Sequence, residues 1–89
     1  MEAKKISNAY SENDTGHPLP LTMTVPGQSV TIVSINGGRG MKMRLYSMGL
    51  TPGVRLRVLS NGAPGPFLLA VRDFKVALGY GMAQKIMVR

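Results

Sequence analysis

The sequence contains no cysteine and only one histidine, His17, among its 89 residues. The absence of cysteine excludes disulfide bonds, thiolate-bound zinc, iron–sulfur clusters and cysteine nucleophiles. A single histidine excludes a metal site built from several histidines of one chain. The chain is also too short for a cofactor domain with a separate substrate domain. We therefore predict a protein that is not an enzyme and that holds no cofactor and no metal.

Acidic residues are scarce as well. The chain has 4 of them against 11 lysines and arginines, a formal net charge of +7. Nine of the basic residues follow residue 22, where Asp73 is the only acid. Most of these cations therefore have no acidic partner within the domain and must face water or an acidic or phosphate-bearing surface.

Long apolar stretches are missing too. No run approaches the ~20 residues that a membrane-spanning helix needs. The first 20 residues lack the continuous apolar segment of a secretory signal. We expect a cytoplasmic protein, which would contact a membrane only at its inner face. Residues 1–20 show no periodicity, which predicts a flexible N-terminal tail before a single domain over residues 21–89.

Short β-strands are predicted over most of the domain, from β-branched residues and from alternation of apolar with polar side chains. These predicted strands cover residues 28–36, 54–59, 67–71, 76–78 and 84–89. A tight turn is expected near Asp73-Phe74, and a single helical turn near residues 79–82. Five short strands favour an all-β fold, a small barrel that leaves few free strand edges.

One helix is predicted, at Arg39–Met48, between the first and second of these strands. Its apolar side chains recur at i, i+4 and i+7, which places them on one face: Met41, Leu45 and Met48. Gly49 suits the left-handed residue that ends a helix, with Leu50 as the apolar residue that follows in a Schellman motif. Thr51-Pro52-Gly53 is typical of a type II turn.

This helix and turn resemble the FeoA family, the small accessory proteins of bacterial ferrous-iron transport. The resemblance is carried by Arg44-Leu45, by Met48-Gly49-Leu50-Thr51-Pro52-Gly53, and by the alternation of Val54, Leu56 and Val58. Weaker matches follow at Gly65-Pro66, at the Val71 to Leu78 hairpin, and at Ala83, Ile86 and Val88. It spans about residues 21–89 and implies an SH3-like five-stranded barrel with a helix between strands 1 and 2.

The resemblance also implies a function. It points to an adaptor that regulates or assembles the ferrous-iron transporter by contacting the transporter's cytosolic GTPase domain (FeoB-type). An anionic membrane surface would be a further partner for the basic side chains. We expect the docking surface to include the following residues: Arg39, Lys42, Arg44, Met48, Leu50, Arg55 and Arg57. Met43 and Met87, predicted to face outward, are candidates for an exposed apolar patch.

Two alternatives remain open. Small basic barrels often bind nucleic acid, and the cations that could do so are Arg55, Arg57, Arg72, Lys75, Lys85 and Arg89. Nucleic acid is the less favoured partner, because bases need exposed aromatic rings to stack on and few are available. The other alternative is a regulatory domain of metalloregulator type, which would bind a proline-rich peptide such as residues 17–20.

Overall fold

Six short strands and two helices make up residues 17–62 and 64–89, the part of the chain that a computed structural model describes. The strands are β1 (Leu19–Pro20), β2 (Ser29–Ile35), β3 (Arg55–Asn61), β4 (Phe67–Val71), β5 (Phe74–Leu78) and β6 (Ile86–Val88). Helix α1 (Arg39–Ser47) joins β2 to β3, and the short α2 (Tyr80–Ala83) joins β5 to β6. A 3-10 turn at Leu21–Met23 follows β1.

The strands form one antiparallel sheet in the order β1-β6-β2-β3-β4-β5. The predicted all-β fold is confirmed, and the helix lies between the first two of the five predicted strands, now β2 and β3. Strand β1 is a sixth strand within the predicted tail, and it pairs with β6 through Leu19 and Val88. Residues 1–16 of that tail lie outside the described residues.

The sheet bends at two irregular positions. Val33 in β2 is an extra residue between two register pairs with β6, and Leu59 in β3 is an extra residue opposite β4. A residue inserted in this way bends its strand and increases the local twist. The bends let the sheet curve around a core of fully buried apolar side chains, among them Leu21, Leu45, Phe67, Leu69 and Ile86.

The end of α1 follows the predicted Schellman motif. The Leu50 backbone N–H donates to the Leu45 carbonyl (3.0 Å), and the Gly49 N–H donates to the Tyr46 carbonyl (2.9 Å). Gly49 has a φ of 85°, which a residue without a Cβ adopts at little cost. Leu45 and Leu50 are both fully buried, so the motif anchors the end of the helix in the core.

The turn after the helix sets where β3 begins. The Val54 N–H donates to the Thr51 carbonyl at 3.1 Å, and Gly53 has a φ of 95°, as predicted for a type II turn. The same turn is tied to β2, because the Gly53 N–H donates to the Ile32 carbonyl and the Ile32 N–H donates to the Val54 carbonyl. Strand β3 therefore starts beside β2.

The hairpin between β4 and β5 turns one residue earlier than predicted. Val71 pairs with Phe74, so the two loop residues are Arg72 and Asp73, and Phe74 is the first residue of β5. Arg72 has a φ of 56°, the only positive φ of a non-glycine residue in the described ranges. The Phe74 ring lies against Gly49, just after the end of α1: a Cβ at Gly49 would be 3.1 Å from Phe74 Cζ. The register pair with Val71 makes Phe74 part of the strand and not of the turn.

Candidate functional site

An open groove on the outer face of the sheet collects three arginine side chains. We call it the arginine groove; its volume is about 360 Å³. The residues that line it come from β2, β3, β4 and the β4–β5 turn: Ser29, Arg55, Leu56, Arg57, Ala70 and Arg72.

The groove follows from the alternation in β3. The side chains of Leu56 and Val58 point into the core, so Arg55 and Arg57 point outward. Both register partners of Arg57 are small: Ser29 on β2 and Ala70 on β4. Small neighbours on both sides leave open space around the Arg57 side chain, and this space is the groove.

Arg72 adds a third cation from the β4–β5 turn. Arg57 is in register with Ala70, and continuing that antiparallel register by two residues places Arg72 opposite Arg55. All three arginines are exposed and line the same groove. Asp73, the only acid after residue 22, lies in the same turn but is not one of the lining residues. The groove therefore concentrates positive charge and favours an anionic ligand or surface.

The structure separates the predicted docking residues into two sets. Arg55 and Arg57 lie in the arginine groove, whereas Arg39, Lys42 and Arg44 are exposed cations of α1. Met48, at the end of α1, is half-buried. Leu50 has 0% of its surface exposed and packs in the core, so its burial leaves it no surface to offer a partner.

Three exposed apolar residues lie near the end of α1. Met43 is 60% exposed, Tyr46 39% and Phe74 41%. Met43 and Tyr46 are three residues apart on the helix and therefore neighbours on its surface. Tyr46 and Phe74 both adjoin Gly49, the first through its backbone carbonyl and the second through its ring. We call Met43, Tyr46 and Phe74 the corner patch. Sequence reasoning missed Phe74, because it placed this residue in a turn.

Most of the cations proposed for nucleic-acid binding lie on neighbouring strands around the arginine groove. Arg89 exchanges two backbone hydrogen bonds with Thr31, the register partner of Arg55. Arg72 joins Arg55 and Arg57, and Lys75 is the register neighbour of Ala70, but Lys85 follows α2 at another part of the surface. No aromatic residue lines the arginine groove within residues 17–62 and 64–89. Tyr80 is 60% exposed, and its ring packs at 6.2 Å from the ring of Phe67.

The described residues hold neither a cluster of metal ligands nor a membrane-spanning helix. Across the described ranges, no three or more His, Cys, Asp or Glu side chains come together as a metal ion would require. Neither α1 nor α2, nor any other helix of these ranges, has the length and apolar character to cross a membrane.

Sequence comparison identifies related proteins. The model of the FeoA domain family matches residues 19–89. A protein of Methanocaldococcus jannaschii named as Fe(2+) transport protein A is 38% identical over 69 residues, which cover 78% of this chain and 83% of that protein. The family match begins at the first residue of β1.

Solved structures with the same fold include an FeoA protein. A crystal structure of an iron uptake regulatory protein (FeoA) is 38% identical, with a TM-score of 0.75, and the match covers 82% of this chain and 96% of that one. A manganese-dependent transcriptional repressor matches with 28% identity and a TM-score of 0.77, over 84% of this chain and 42% of the repressor. The predicted SH3-like fold is confirmed by these similarities.

Proposed function

Because the chain belongs to the FeoA family, we propose that it is a non-enzymatic accessory protein of ferrous-iron transport. It binds the cytosolic GTPase domain of the FeoB-type membrane transporter and regulates or assembles the transporter through this contact. It acts from the cytoplasm, at or near the inner face of the membrane. Ferrous iron is the cargo of the transporter in this proposal.

The main observation behind the proposed protein contact is the set of exposed side chains at α1. The corner patch supplies two aromatic rings and a methionine, which are residue types enriched at the centres of protein interfaces. Cations border it on the same helix: Arg39, Lys42 and Arg44. An apolar centre with a charged border is the usual composition of a reversible protein interface.

The proposed docking surface therefore consists of the corner patch, the three cations of α1, half-buried Met48, and Arg55 and Arg57 of β3. Leu50 is not part of it, because it is buried. The chain offers a single acid after residue 22, so the matching surface of the partner should be acidic. Complementary charge of this kind chiefly speeds association and selects the partner.

Charge reversal tests the proposal. We expect the double variant Arg55→Glu/Arg57→Glu to bind the isolated GTPase domain of the cognate transporter at least about tenfold more weakly at near-physiological salt, because two attractive charges become repulsive. The control is Lys85→Glu, which reverses a charge at a residue outside the docking surface and should bind like the original protein; Arg55→Glu alone is its single-charge match. All of these variants can be measured by titration calorimetry, with circular dichroism to verify the fold.

Equal binding by Arg55→Glu/Arg57→Glu and by the original protein would contradict the docking surface. A random-sequence oligonucleotide serves as a parallel ligand. If the protein binds the oligonucleotide and not the GTPase domain, the adaptor function is wrong and the nucleic-acid alternative is favoured.

A further inference from the structure

We propose that the arginine groove is a binding site for a small molecule that carries a diphosphate group, held by Arg55, Arg57 and Arg72. This site goes beyond the proposed adaptor function, although it shares Arg55 and Arg57 with the docking surface. Arg72 belongs to the ligand site alone.

The charge of the groove fits linked phosphates better than a single carboxylate. A guanidinium presents paired N–H donors that match the oxygens of phosphate or carboxylate, and it stays charged at any physiological pH. Three such groups line one groove, and no acid is among the lining residues. One carboxylate would leave two of the cations without a counter-charge, whereas two linked phosphates offer several negative charges and enough oxygens for all three.

The space beside Arg57 suits a small ligand. Ser29 and Ala70 flank it in the sheet, and their short side chains leave its guanidinium accessible from both sides. The Ser29 hydroxyl also lines the groove and is a further donor for a phosphate oxygen. The volume of about 360 Å³ is near the lower end of the range for small-molecule sites. It accommodates a diphosphate group and leaves the remainder of a larger molecule outside.

The backbone conformation of Arg72 is a separate argument for a binding site at the groove. Its φ of 56° lies in the left-handed region, where glycine and asparagine are favoured and a long side chain is strained. Strained residues of this kind concentrate at binding sites, where the side chain has a task that offsets the strain. At Arg72 that task is to place a third guanidinium opposite Arg55, at the open end of the groove.

Larger anionic partners fit the groove less well. Single-stranded nucleic acid combines a basic channel with aromatic rings on which the bases stack, and the lining residues include no aromatic ring. A membrane surface attracts a broad basic area, whereas the lining of this open groove is confined to six residues of three neighbouring strands and one turn. Both partners are outcomes that the following experiment separates from a small diphosphate.

The test is a titration of the full chain with pyrophosphate at low salt, followed by calorimetry or by chemical shifts of the arginine side chains. Citrate, phosphatidylglycerol vesicles and a random-sequence oligonucleotide are titrated in parallel. We expect pyrophosphate to bind at one site. Citrate should bind at least about tenfold more weakly, because its carboxylates are not spaced to pair with all three guanidinium groups at once. Equal binding of citrate, or binding of only the vesicles or the oligonucleotide, would overturn the proposal.

The decisive variant is Arg72→Asn. It removes one guanidinium and replaces it with a residue that tolerates the left-handed conformation, so the protein should melt at the same or a higher temperature. Pyrophosphate affinity should nevertheless fall about tenfold, as expected for loss of one charge-assisted contact. Lys85→Asn is the matched control and should leave pyrophosphate affinity unchanged. Unchanged affinity in Arg72→Asn would overturn the proposal.

The two proposals fail in different ways. Arg72 lies outside the docking surface, so Arg72→Asn should retain the binding of the GTPase domain while it loses pyrophosphate. If the original protein binds the GTPase domain but not pyrophosphate, the ligand site is wrong and the adaptor function stands. If it binds pyrophosphate but not the GTPase domain, the adaptor function is wrong and the ligand site stands.

Discussion

At the scale of single residues, Gly49 connects the end of α1 to the corner patch. Its positive φ lets the chain leave the helix toward Leu50, and its lack of a side chain lets the Phe74 ring approach the helix. Gly53, four residues later, has a similar φ of 95° but no atom within 4 Å of the position of a Cβ. Substitutions at the two glycines therefore distinguish the cost of a strained backbone, which both positions share, from the cost of a steric contact, which only Gly49 has.

We expect Gly49→Ala to lower the free energy of unfolding more than Gly53→Ala does. Gly53→Ala should cost about 1–2 kcal/mol through the left-handed backbone alone. Gly49→Ala adds a contact of 3.1 Å with Phe74 Cζ and should cost roughly 1 kcal/mol more, because the ring must shift. Urea denaturation of both variants measures the difference. Equal losses would show that the ring moves freely and that the corner patch is loosely packed.

The same residues show how far a sequence predicts such details. Gly49 and Gly53 were predicted correctly, because a glycine after a helical pattern and a Pro-Gly pair are strong local signals. Arg72 gave no such signal, since arginine rarely adopts a positive φ. Phe74 contacts Gly49, a residue 25 positions earlier in the chain, and local patterns carry no information about that contact.

At the scale of elements, alternation of apolar residues located β2 to β6, whereas β1 escaped prediction. A strand of two residues, one of them a proline, has no periodicity, and its evidence is its pairing with β6. Leu19 is half-buried and packs against the core, and Leu21, two residues later, is fully buried. Strand β1 thus covers the outer edge of β6. Similarly, the alternation of β3 predicted two groove arginines, and the third required the register with β4.

A truncation series tests the contribution of β1. A chain that begins at residue 17 keeps β1 and is the reference, measured beside the 89-residue chain. A chain that begins at residue 21 loses the pairing of β1 with β6 and the packing of Leu19, which should cost about 1–2 kcal/mol. Denaturant titration compares the three chains. Equal stability of the chains beginning at 17 and 21 would show that β1 contributes no stability and that the domain begins at residue 21.

At the scale of the whole molecule, the β4–β5 turn connects the arginine groove with the corner patch, and exposed cations are present at both places. Arg72 lines the arginine groove, and Phe74, two residues later, contacts Gly49 just after the end of α1 and belongs to the corner patch. The net charge of +7 gives the molecule a long-range attraction for acidic partners, and the corner patch offers short-range contact. Under the proposed function these two features should control different steps of binding.

We therefore expect salt to change the association rate and the corner patch to change the dissociation rate. Raising ionic strength from about 50 to about 500 mM shortens the screening length severalfold, so the association rate constant with the GTPase domain should fall roughly tenfold. Tyr46→Ala should raise the dissociation rate constant roughly tenfold and leave the salt dependence of association intact. Surface-based kinetics with the full chain measure both constants. This docking model is wrong if salt changes mainly the dissociation rate constant, or if Tyr46→Ala changes mainly the association rate constant. In either case, electrostatic attraction would not be what speeds association while the apolar contact holds the complex together.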